Sequence, residues 1–356
     1  MNPTLKINLK NLRHNVDFLL KLCKESGITM AGVTKVFCAD PQMVQVFIDA
    51  GVDFLADSRI ENINGYPAKK IQKTMMLRMP APRQAKGIVR DCDISLNSEL
   101  DTLKALNYEA GKQKKQHGVI IMVDLGDLRE GVYHSNIEEI FKLCKCVIKC
   151  DNLNLKGIGT NLTCYGSVLP TEKNMRTLVE IADTIEKKFG IELEIVSGGN
   201  SSALNMLKSG KIPEKINNLR LGESIVCGTE TATGEHFEGL KKDIVTLEAT
   251  IIELAKKPSM PEGDTNINAF GEKIEYIDKG EHFRAILSVG RQDVAIDGIT
   301  PIDKGVEIIG ASSDHLIVDV TQAGPLKIGD TLAFSLNYGA MLSAFTSKYV
   351  GRAYID

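Results

Sequence analysis

Lys35 directly follows the apolar stretch 30–34, and a lysine ammonium held partly out of water carries more free amine, which makes it a candidate nucleophile toward a carbonyl. Alone it would read as a surface lysine at the start of a loop. Other reactive residue types fall at comparable places. In Asp124-Leu125-Gly126-Asp127-Leu128-Arg129-Glu130-Gly131, Arg129 offers a planar fork to a carboxylate or phenolate. Ser197-Gly198-Gly199-Asn200-Ser201-Ser202 and Arg220-Leu221-Gly222-Glu223-Ser224 mix glycines with hydroxyls, a composition that lets backbone N–H groups cradle a phosphate. The same residues also build ordinary turns, so their position along the chain decides how they are read.

That position follows from the elements. Short apolar, β-rich runs at 30–34, 54–56, 74–79, 93–96, 119–124, 155–161, 193–197 and 218–221 alternate with helical stretches such as 99–115 and 172–189. Eight such units predict an α/β fold whose first domain, residues 10–234, is a (β/α)8 TIM barrel. Beyond 234 the pattern changes to closely spaced β runs at 244–254, 283–289, 306–309, 316–320, 331–335 and 349–355. These predict a smaller, mostly antiparallel β domain over 235–356, joined by residues 3–9 as an extra strand. Active sites of this barrel collect where strands end. A lysine after the first strand and a phosphate cradle after the last two describe a pocket for pyridoxal 5'-phosphate.

Composition narrows the partners. With 43 basic and 46 acidic residues the formal net charge is -3, too little positive field to hold a nucleic-acid backbone. No stretch approaches the roughly 20 apolar residues of a membrane span, and the start Asn2-Pro3-Thr4-Leu5-Lys6 is unlike a secretion signal, so a cytoplasmic protein is expected. The eight cysteines are read as free thiols. Cys144, Cys146 and Cys150 cluster within a helical stretch without a matching group of ligands, and no metal site is expected.

The chain resembles the alanine racemase-type (fold type III) pyridoxal-phosphate enzymes from end to end. The motifs that carry this are Ile7-Asn8-Leu9-Lys10-Asn11-Leu12-Arg13-His14-Asn15, Val33-Thr34-Lys35, residues 124–131, Gly157-Ile158-Gly159-Thr160, and the two glycine-hydroxyl segments. The resemblance implies that Lys35 carries the cofactor and that Arg129 approaches the cofactor's phenolic oxygen and the substrate carboxylate. Ser202 and the backbone of Gly222, Glu223 and Ser224 match its phosphate cup, Tyr338 a phosphate-binding tyrosine, and Arg220 the arginine facing the pyridine nitrogen. It further implies a head-to-tail homodimer with shared active sites, and Ser313-Asp314-His315-Leu316 resembles the segment that reaches the partner's site.

Two residues depart from the family pattern. Asn161 stands where a histidine usually meets the pyridine ring, and Phe270 stands where the catalytic tyrosine usually does. A phenylalanine cannot transfer a proton, so His315, oriented by Asp314, is the candidate second acid-base group, with Cys164 and Tyr165 in reserve. Within the family the wording is closest to bacterial enzymes acting on ornithine, which implies a basic amino acid as substrate. Asp314 could then help bind it, and Asp127 or Glu130 could meet its distal ammonium. The alternatives are an amino-acid decarboxylase or aldolase on the same fold, or a non-catalytic pyridoxal-phosphate carrier, a class without the second domain.

Overall fold

The computed structural model describes residues 3–67 and 72–355. The chain divides into two compact units, Lys10–Lys242 and a smaller one that joins Met1–Leu9 to Asp243–Asp356. β1 (Thr4–Asn8) belongs to the smaller unit. The strands of the larger unit are β2 (Thr29–Val33), β3 (Phe54–Asp57), β4 (Lys73–Met76), β5 (Ile94–Asn97), β6 (His117–Asp124), β7 (Val132–Tyr133), β8 (Leu153–Gly159), β9 (Ile195–Ser197) and β10 (Asn218–Leu221).

All but β7 close a ring of parallel pairs in the order β5-β4-β3-β2-β10-β9-β8-β6 and back to β5. This is the eight-stranded parallel barrel expected from the alternation of runs. Ala31 and Val33, Ile94 and Leu96, and Ile120 and Met122 share one buried cluster. Their spacing of two is the strand period, so one face of each strand forms a common core. Helix Glu172–Phe189 shows how local chemistry sets the crossovers. Thr171 accepts from the Asn174 N–H at 3.2 Å while the Asn174 side chain accepts from the Thr171 N–H at 2.8 Å, and Gly190 ends the helix at φ 63°.

The smaller unit contains β11 (Val245–Pro258), β12 (Glu281–Leu287), β13 (Ile299–Pro301), β14 (Glu307–Ala311), β15 (Leu316–Asp319), β16 (Thr331–Leu336) and β17 (Gly351–Ile355). The first half of β11 pairs antiparallel with β1 and β16, and the second half pairs with β12 after an irregularity between Ile251 and Glu253. A bulge there lets one strand serve two sets of partners. β1 also pairs with β17 in parallel. The reading of the sequence passed over β13 and the helix Tyr338–Thr346. That helix is capped by Asn337, whose side chain accepts from the Ala340 N–H at 2.9 Å, and it buries Ala340, Met341, Ala344 and Phe345. Among the described residues no helix is long and apolar enough to cross a membrane, and all eight cysteines are free.

Candidate functional site

At the carboxyl end of β2 the chain leaves the sheet under tension. Thr34 donates its N–H to the Ala56 carbonyl at 2.9 Å and its hydroxyl to Asp57 at 2.5 Å. Burial pushes the Asp57 carboxyl up, and hydrogen bonds from Thr34, Arg59 and Asn62 oppose that shift. A single 3-10 turn, Lys35–Phe37, follows, and then Cys38 and Ala39 take φ values of 50° and 51° in succession. Two non-glycine residues in the left-handed region are strained, and such strain persists only where surrounding bonds hold it. The result is Lys35 half-buried at the strand end.

β10 lies beside β2 with Leu221 opposite Gly32, so Gly222 and Glu223 run alongside Val33 and Thr34. A Cβ on Gly222 would come within 2.9 Å of the Val33 Cβ, and the glycine is what allows this approach. Burial raises the Glu223 carboxyl; the Lys35 ammonium is the largest opposing influence. Ser201 knits the last two loops together. Its hydroxyl oxygen accepts from the Gly222 and Ser224 N–H groups at 3.4 and 3.3 Å and lies 3.0 Å from the Ser224 hydroxyl. The neighbouring Ser202 hydroxyl is buried and has no partner.

Arg220 is 3% exposed. It donates to the Ser197 hydroxyl at 2.5 Å, the Thr160 carbonyl at 2.7 Å and the Asn161 side-chain oxygen at 3.0 Å. Burial pushes its guanidinium down to about 10, with Glu130 opposing and Arg129 reinforcing the shift, so it stays charged at neutral pH. Asn161 in turn donates to Glu130 at 2.7 Å, and Glu130 grips Arg129 through both carboxylate oxygens. Arg129 also donates to the Cys164 sulfur. Arg129, Asn161 and Arg220 are thus brought into one connected network.

Asp127 takes no part in it. Its carboxylate is 1% exposed and accepts from the backbone N–H groups of Cys164, Tyr165 and Val168 at 3.0–3.2 Å. Its own carbonyl accepts from Gly166 N–H at 3.0 Å. Asp127 therefore ties the loop after β8 to the loop after β6, and its filled carboxylate is not available to a substrate ammonium.

Three expected residues lie in the smaller unit. Tyr338 is the first residue of the helix capped by Asn337. Asp314 and His315 sit in the turn between β14 and β15, where His315 Nδ1 is 3.0 Å from the Asp314 carboxylate and the side chains are 44% and 59% exposed. The Arg291 N–H donates to the Ser312 carbonyl at 3.0 Å in that turn, while the Arg291 guanidinium lies 4.3 Å over the Phe270 ring and pairs with Glu272 at 2.8 Å. Phe270 thus occupies the same local cluster as the His315 turn, and its ring serves as a platform for an arginine. Sequence reasoning missed Ser201 as the knot of the cup and Glu130 as a clamp. The signal for Ser201 was its place in the glycine-hydroxyl segment; Glu130 gave none beyond its charge.

Residues 7–229 match the family model described as Alanine racemase, N-terminal domain. The chain is 47% identical to ornithine racemase of Acetoanaerobium sticklandii over 351 residues, covering 98% of this chain and 99% of that one. It is 38% identical to lysine racemase of Thermotoga maritima over 354 residues, 99% of this chain and 98% of the other. Among solved structures it resembles alanine racemase from Streptomyces lavendulae with a TM-score of 0.77 at 16% identity, covering 100% of this chain and 97% of that one, a likeness of fold alone. The barrel, its strand-end residues and these matches together make the chain a member of the alanine racemase family.

Proposed function

We propose that the chain is a pyridoxal-phosphate-dependent amino-acid racemase that interconverts the L and D forms of a basic amino acid, with ornithine the first candidate and lysine the second. The substrate class rests on the two relatives that match over nearly the whole chain, an ornithine racemase and a lysine racemase. The observation that carries the cofactor is the Ser202 hydroxyl, buried without a partner and next in the chain to Ser201, which the Gly222 and Ser224 N–H groups reach only at 3.3–3.4 Å. Such long bonds to a neutral hydroxyl give way readily to charge-assisted bonds with a phosphate. The residues present fit the group.

Bound there, the cofactor supplies an aldehyde that takes up an amine and a ring that spreads the electron pair left when an α-proton departs. Lys35 would hold the cofactor through its amine and would hold or move a proton on one face of the α-carbon. Arg129 receives the substrate carboxylate. Arg220 would donate a hydrogen bond toward the ring nitrogen and keep its own proton, which would limit how far the ring withdraws electrons and favour rapid return of the proton. Gly222, Glu223 and Ser224 would offer backbone N–H groups to the phosphate, and Asn161 would stand in place of a histidine beside the ring. His315, paired with Asp314, would serve the opposite face from a partner subunit in a head-to-tail homodimer, and Tyr338 would bind the phosphate.

The test is Lys35→Ala. Borohydride reduction of the wild-type protein with cofactor should add a phosphopyridoxyl group, the cofactor's mass less one oxygen, to the peptide containing Lys35, and the variant should show no such addition. Racemisation of ornithine should fall in the variant by at least about 10⁴, the upper end for loss of an acid-base group. Full racemisation by the variant would remove Lys35 from the reaction.

A further inference from the structure

A single carboxylate, Glu130, stands between two arginines that the proposed reaction needs. Neighbouring side chains in extended backbone point to opposite faces. Here Leu128 at φ 56° and Gly131 at φ 116° bend the chain on both sides of the Arg129-Glu130 pair, and the two side chains meet. A Cβ on Gly131 would lie 2.7 Å from the Asp124 nitrogen, so the bend is bound to glycine at that position.

A guanidinium has two edges that can hold an oxygen pair. Glu130 takes the side edge of Arg129, with one oxygen at Nε and the other at Nη2. Nη1 donates to Cys164, which leaves the remaining N–H groups of the two terminal nitrogens for a further anionic ligand. The oxygen that meets Nη2 also accepts from Asn161 Nδ2 at 2.7 Å. That bond decides which way the Asn161 amide faces. Its oxygen must then meet the donors Arg220 at 3.0 Å and Asn200 at 3.4 Å, whereas the reversed amide would set N–H groups against both. Glu130 itself is mostly buried, with a side chain 14% exposed.

We infer that Glu130 is a positioning residue that orients Arg129 toward the substrate carboxylate and cofactor and, through Asn161, orients Arg220 toward the cofactor ring. It also offsets one of two positive charges, so the cluster meets its ligands with one net positive charge. This role depends on the pyridoxal-phosphate reading above, and Glu130 is accordingly not a receiver for the substrate's distal ammonium, because both its oxygens are engaged.

Glu130→Gln keeps the shape and removes the charge. A glutamine cannot accept from Arg129 Nε and Nη2 and from Asn161 together, since one of its ends is a donor. With pyridoxal phosphate titrated into apo-protein, the variant should bind it about tenfold more weakly and shift its visible absorption band. The KM for ornithine should rise by about 10- to 100-fold, as when a group orienting a ligand-binding side chain is lost, with kcat changing less. Arg129→Lys provides an independent approach, since it keeps the charge and loses the fork. Adding Glu130→Gln to it should raise KM less than about twofold further, because Glu130 acts on the substrate carboxylate through Arg129. Unchanged cofactor affinity, band and KM in Glu130→Gln, or fully additive losses in KM in the double variant, would overturn the inference. Failure of the wild-type protein to racemise any amino acid would instead strike the function proposed above, while the cofactor titration would still report on Glu130.

Discussion

The mouth of the barrel and the Ser312–His315 turn of the smaller unit carry the candidate chemistry in opposite ways. At the mouth, Arg220 is buried, Glu130 is mostly buried and Arg129 keeps a side chain 35% exposed, and all are bonded into one network: Arg220 has three partners, Glu130 holds Arg129, and Asn161 bridges them. In the turn, Asp314 and His315 are bonded to each other and to Ser312, and stay largely exposed. A buried network costs desolvation that only complete bonding offsets, so it is fixed when the unit folds. An exposed pair keeps its freedom and is suited to finishing a site on another surface. Under the proposed function, the contrast would separate groups that must be rigid before the substrate arrives from one that need only reach a proton.

His315→Asn is the sharper way to break this comparison. Removal of an acid-base group typically costs about 10²–10⁴ in rate, and the loss should be unequal for α-proton exchange from the two enantiomers, because Lys35 still serves its own face. Measured enantiomer by enantiomer in heavy water, exchange should persist from the form whose proton faces Lys35. Equal loss from both forms, or no loss from either, would make the turn structural and move attention to Cys164 and Tyr165.

Much of the barrel was legible because strands buried on both faces read as short apolar runs, and because their ends carry glycine, hydroxyl and charge. The runs at 54–56 and 218–221 differ from the observed strands by one residue at most. The helix Tyr338–Thr346 was not legible, since Tyr338-Gly339 looks like a turn and the apolar residues after it continue the β pattern of the unit. At the site, residue types that act by their own chemistry were visible: Lys35, Arg129, Arg220. Asp127 looked the same as any loop acid. Its partners are backbone N–H groups 37 to 41 positions away, and a backbone donor leaves no trace in residue identity. Glu130 was equally opaque, because its role comes from two left-handed φ angles that only the folded loop displays.

A smaller effect separates loss of chemistry from loss of fold as pH falls. His117 begins β6, is 1% exposed, and has its Nε2 2.7 Å from the Ser95 hydroxyl; burial pushes its imidazole down to about 4. The unfolded chain takes up this proton near 6.5 and the folded chain does not, so stability falls as pH drops from 6.5 toward 4. At pH 5 the cost from this residue is about 2 kcal/mol relative to pH 7.5. Urea unfolding at both values should show that loss in the wild-type protein and less of it in His117→Gln. A matching loss in the variant would place the sensitivity elsewhere.

The central claim, reversible proton transfer at the α-carbon of a basic amino acid, is tested most directly by proton NMR of L-ornithine in heavy water with the full-length protein and pyridoxal phosphate. The account predicts that the α-proton signal disappears while D-ornithine accumulates to an equal share, with no carbon dioxide or aldehyde released, and that alanine exchanges more slowly. Retention of the α-proton in ornithine and lysine alike, or carbon loss without a D product, would contradict it.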